Sequence, residues 1–151
     1  MAGAVLAGKL PGVSSIVSLE GSEYHHYGNA KEENDDFDTI KNSATFQNLH
    51  LSVPYLRLES SPSTQPDKID SVYNFAANHA LNAQIFTIDS AQHEDFDCFS
   101  LVVKQSGKCP VDQRYNSALQ LTVDFLADHL NNENNFARTV GEKMNKTIKK
   151  K

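Results

Sequence analysis

The sequence has no apolar run near the roughly 20 residues needed to cross a bilayer, so no membrane span is expected. Its seven glycines (3, 8, 12, 21, 28, 107 and 141) are scattered, which excludes a glycine-rich loop cradling phosphates. No serine sits between glycines in the manner of a hydrolase nucleophile elbow. Cysteine is scarce. Cys98 lies between Phe96 and Phe99 in an apolar run, surroundings that disfavour a thiolate, and Cys109 has no histidine close in sequence. With no secretory signal, free thiols in a reducing, cytoplasmic setting are expected. The stretch from Met1 to Leu10 is apolar but lacks the basic start of a signal peptide, and it reads as a helix or arm packed on the domain.

What is present is ordinary globular composition: 39% hydrophobic and 22% charged residues in a chain of 151, enough for one domain with its own core. The net charge of −5 hides an asymmetry. Residues 138–151 hold six basic side chains against one acid, a net of +5, which leaves −10 on the other 137 residues. A body that acidic repels phosphate backbones, so no nucleic-acid partner is expected. Residues 1–137 read as one α/β domain, and 138–151 as a basic C-terminal tail that keeps the chain soluble.

Along the chain, Val13 to Leu19 reads as a buried strand between two turns. Glu32 to Asp38 is an acidic, solvated stretch, followed by Phe37, Ile40 and Phe46 at the spacing of a short helix or loop over the core. Leu49, Leu51 and Val53 alternate with polar residues as a half-buried strand would, and Leu56 and Leu58 continue the alternation. Pro54 between them predicts a bend or an edge position. Asp67 is placed to cap a helix reaching Leu81, with Ile69, Val72, Tyr73, Ala76, Ala77 and Ala80 on one face. Ala83 to Ile88 then forms a short apolar strand, parallel to the earlier ones if that helix is a crossover. Asp97 to Val103 fits strand or helix equally. Tyr115, Ala118, Leu119, Thr122, Leu126 and Leu130 mark a second long helix docking on the sheet, ended by the polar run Asn131 to Asn135. A last polar helix runs from Phe136 into the lysines. The order of elements predicts an α/β fold: a single domain with a central mixed or mostly parallel sheet and flanking helices.

No catalytic or metal-binding constellation emerges. His25 and His26 are adjacent, with nothing at fixed spacing to complete a ligand set, so they read as surface loop. His93, Glu94, Asp95 and Asp97 lack the glycine and spaced oxygens of a calcium loop and read as a solvated acidic turn. No cofactor is expected.

Taken in order, the segments Gly12–Glu20, Leu49–Leu56, Asp67–Leu81 and Ala83–Ile88 resemble the early strand, the strand before the general-acid loop, the helix before the phosphate loop and the strand into that loop in the dual-specificity and tyrosine phosphatases. The similarity runs from Gly12 to Leu130, in element order more than in identity. In that family the strand ends in a cysteine nucleophile, five loop residues and an arginine that holds the phosphoryl oxygens. Without gaps, the resemblance puts Asp89 at the cysteine, Gln92 at a loop glycine and Asp95 at the arginine. Two carboxylates in those places repel a phosphate dianion. The resemblance therefore implies a pseudophosphatase whose degenerate loop, Asp89, Ser90, Ala91, Gln92, His93, Glu94 and Asp95, binds rather than reacts.

Three functions follow as expectations. The first is a non-catalytic domain that binds a protein partner, with that degenerate loop as its site. A second is an enzyme whose site is assembled from distant residues such as His50, His79 or Cys109. A third is a small adaptor of the longin or roadblock type, built on an antiparallel sheet; a strand over Asp97 to Val103 would favour it.

Overall fold

The computed structural model of the chain describes residues 10–20, 35, 38–60, 79–80, 82–96 and 110–150. Within them, strands β1 (Ile16–Leu19), β2 (Tyr55–Glu59), β3 (Ala83–Ile88) and β4 (Ile148–Lys150) form one sheet in the order β1-β2-β3-β4. Helices α1 (Ala44–Gln47), α2 (Pro110–Asn131) and α3 (Asn135–Lys143) accompany it, with a short 3-10 helix at His93–Phe96. This is the α/β class that the sequence predicts.

The direction of the strands follows from their hydrogen bonds. Ile16 N–H donates to the Pro54 carbonyl and Glu20 N–H to the Leu58 carbonyl, each at 2.9 Å. A step of four on one strand matches a step of four on the other, so β1 and β2 run parallel. Leu51 and Ala80 form a parallel bridge, and Tyr55 N–H donates to the Asn82 carbonyl, so β3 follows the same direction. β4 pairs antiparallel with β3, placing Ile148 beside Ile88 and Lys150 beside Phe86. The sheet is therefore mixed.

Three expectations need correction. Leu49 to Val53 is extended and alternates in burial, but joins the sheet only through the Leu51 bridge; regular pairing starts after Pro54, whose carbonyl accepts a bond although its nitrogen has none to give. Of the bend or edge position predicted at Pro54 the bend is found, at Val53, whereas β2 is not an edge strand. It lies between β1 and β3 and is buried along its whole length. In the basic segment, read as a tail entered by a last helix from Phe136, that helix is present as α3, but Ile148–Lys150 is a strand of the sheet. The expected helix from Asp67 to Leu81 lies outside the described residues apart from His79 and Ala80, as do Met1 to Lys9, His25, His26, Phe37, Cys98, Cys109 and the segment 97–103.

The chain divides into two compact units, residues 1–16, 21–55 and 67–83 in one and 17–20, 56–66 and 84–151 in the other. In the first, Ser43 caps α1 by accepting the Phe46 N–H at 3.3 Å. Phe46 is fully buried, with its ring 4.8 Å from that of His79. In the second, Leu56 and Leu58 of β2, Phe86 and Ile88 of β3 and Ile148 of β4 pack with Ala118, Leu121 and Phe125 of α2 and Phe136 of α3.

The helix α2 docks through a face other than the one its apolar spacing marks. Leu119 and Leu130, assigned to the docking stripe, are exposed, whereas Leu121 and Phe125 are fully buried. Its inward face also carries acids that hold α3. Asp124 accepts from the Thr139 hydroxyl at 2.6 Å and from Gln120 at 2.9 Å. Asp128 accepts the backbone N–H groups of Asn135 and Phe136 at 2.8 and 3.0 Å, while the cap residue Asn134 supplies no side-chain bond of its own. A carboxylate from α2 thus caps α3 and faces the positive end of its dipole. Asp128→Ala is expected to cost about 1–2 kcal/mol, read from chemical denaturation, with Asp128→Asn recovering part of it.

Candidate functional site

The loop singled out by the resemblance leaves the C-terminal end of β3, the place where α/β sheets collect ligands. Asp89 and Ser90 form a tight turn, with Ser90 in the left-handed region at φ 58°. Ala91 turns inward and joins the core. Gln92, His93 and Glu94 are exposed. Asp95 is not. It is 5% exposed, so the reading of a solvated acidic turn fails at this residue.

The reason is an arginine that the sequence places 19 positions away. Arg114, in the first turns of α2, donates from Nε to Asp95 Oδ2 at 2.5 Å and from Nη2 to Oδ1 at 3.5 Å. The same Oδ2 accepts the Gln92 N–H at 2.9 Å. A forked guanidinium and a loop amide converging on one anion is how an oxyanion is held. Here the anion is the loop's own carboxylate. Other loop amides are also engaged: Asp89 N–H donates to the Thr147 carbonyl at 2.8 Å, Ala91 N–H to Ile88 at 3.1 Å and Asp95 N–H to Gln92 at 3.0 Å.

Beside the loop is a cleft of about 260 Å³ lined by Asp89, Ser90, Arg114, Ser117, Lys146 and Thr147, among others. Lys146 and Thr147 come from the turn between α3 and β4, which the left-handed Asn145 (φ 60°) closes by donating its N–H to Ile148 at 2.9 Å. Asp89 is 3.5 Å from Lys149, an exposed pair that contributes little to stability. The Thr147 hydroxyl oxygen is screened from solvent and has no hydrogen-bond partner.

The residues proposed for an assembled enzyme site are placed differently. His79 is buried against Phe46, and its Nδ1 lies 2.7 Å from the Leu49 carbonyl. A carbonyl only accepts, so this nitrogen carries the proton and the ring ties two backbone segments together. His50 is exposed. Among the described residues, no group of three or more histidine, cysteine or acidic side chains forms a metal-binding cluster. Also among them, no helix is long and apolar enough to cross a membrane.

Sequence reasoning missed Arg114, Lys146 and Thr147. Arg114 has one detectable signal, its position in the first turns of a helix that follows the acidic loop. The other two have none short of knowing that the lysine-rich end folds back onto β3. No protein-family model, no curated protein and no solved structure matches the chain.

Proposed function

We propose that this chain is a non-catalytic protein-binding domain with the layout of a degenerate phosphatase-like module. The observation that carries the reading is the Asp95 carboxylate, which takes both the Arg114 fork and the Gln92 amide that a phosphoryl group would need. A phosphate dianion entering here would meet two carboxylates, Asp89 and Asp95, and a guanidinium already neutralised. The parallel run from β1 to β3 favours this reading over an adaptor built on an antiparallel sheet.

Incubation with a small aromatic phosphate tests it. Hydrolysis is expected to stay at the protein-free rate, with or without added vanadate or tungstate. Turnover above background that scales with protein concentration and is inhibited by vanadate would discard the proposal.

A further inference from the structure

The cleft at the end of β3 does not itself require an inert loop, and its chemistry points to a ligand. At about 260 Å³ it is just below the roughly 300–1,000 Å³ of sites that enclose whole small molecules. It suits one side chain or a small acid, not a nucleotide. Its lining is rich in donors. Beyond the bonds to Asp95, Arg114 keeps the N–H groups of Nη1 and a second one on Nη2. Ser90 presents a hydroxyl, and the Ser117 hydroxyl accepts from the Lys143 ammonium at 3.4 Å.

The charges settle the sign. Arg114 is balanced by Asp95 and Asp89 by Lys149. Neither Lys146 nor Lys143, whose ammonium lies 3.4 Å from the Ser117 hydroxyl of the lining, has a carboxylate partner among the described residues, so the cleft is net positive. A net positive cleft rich in donors matches an anion. Asp89 and Asp95 stand beside any anion held here and repel a phosphate dianion more strongly than a carboxylate. The surrounding surface agrees, because the segment carrying the +5 excess is folded here, as α3, the turn and β4.

We propose that this cleft binds a carboxylate from an acidic segment of a protein partner, with Lys146 and the Nη1 edge of Arg114 facing the carboxylate oxygens. This rests on the protein-binding reading above and names the class of partner. Its failure is separable from failure of that reading, since one is read by binding and the other by turnover.

The test is fluorescence anisotropy of labelled hexaglutamate with the full chain at low salt, where exposed charges are least screened. Saturable binding is expected. Lys146→Glu should weaken it at least ~10-fold, whereas Lys150→Glu, the same change of net charge outside the cleft lining, should change it less than about 2-fold. Lys146 is exposed, so its variant is expected to fold normally. No saturable binding, or equal losses in the two lysine variants, overturns the proposal. So does tighter binding of a peptide in which phosphoserine replaces glutamate, because the cleft would then prefer a dianion.

Discussion

Phe125→Ala is expected to lower the unfolding free energy by about 3–5 kcal/mol, the range for truncating a large aromatic in a packed core. Phe125 is fully buried at the centre of the helical side of the core. Its ring meets Phe136 edge-on at 5.2 Å and His129 edge-on at 4.5 Å, and Phe136 in turn meets Phe86 of β3 at 6.2 Å. Removing it therefore loses transfer free energy, opens a cavity and breaks a chain of aromatic contacts from α2 through α3 to the sheet. Leu130→Ala is the matched control. Leu130 is 64% exposed, so its truncation should cost less than about 0.5 kcal/mol. Urea denaturation of both variants decides which stripe of α2 faces inward. Equal losses, or a larger loss at Leu130, would overturn the packing described above.

That helix also shows why part of the fold was legible and part was not. Strands β1 and β3 announce themselves because apolar residues fill short runs between turn signals, although β1, expected buried over Val13 to Leu19, spans only Ile16–Leu19 and leaves Leu19 exposed. The end of α2 is equally plain, since Asn131 leads into a run of polar, helix-breaking residues. Its orientation is not. The stripe of Tyr115, Ala118, Leu119, Thr122, Leu126 and Leu130 is as regular as the buried set of Ala118, Leu121 and Phe125, and only Ala118 belongs to both, because Asp124 and Asp128 make the second face look polar. Those acids are inward because Thr139 and the first amides of α3 satisfy them, which is a tertiary fact.

The same holds for β4. Ile148 followed by lysines has the composition of a soluble tail, and three residues are too few for a period to show. What places it is pairing with β3, with Ile148 fully buried and Lys149 and Lys150 exposed at the rim. At the loop, the residue types at positions 89 and 95 were readable and already argued against phosphate chemistry. The ion pair of Asp95 with Arg114 was not, since nothing local signals a partner 19 residues away.

Arg57→Met should be nearly as damaging as the loss of Phe125, for an electrostatic reason. Arg57 is fully buried on β2, where Leu56 and Leu58 supply the core and the intervening residues turn to the opposite side of the sheet. Its Nε donates to Glu59 at 3.0 Å and its Nη1 to the Ser18 hydroxyl of β1 at 3.1 Å. Nearby on the same pair of strands, Glu20 accepts from both the backbone N–H and the hydroxyl of Ser60. Removing the guanidinium leaves Glu59, itself 1% exposed, as a buried charge without this counter-ion. The expected cost is about 3–5 kcal/mol, most of it the penalty on the carboxylate left behind rather than the worth of the pair. The double variant Arg57→Met, Glu59→Leu removes that penalty. It should therefore be less destabilised than the sum of its single variants by about 1.5–3 kcal/mol in a denaturation cycle. Strictly additive losses would mean that the two side chains are held independently, and that the 3.0 Å contact contributes nothing to the sheet.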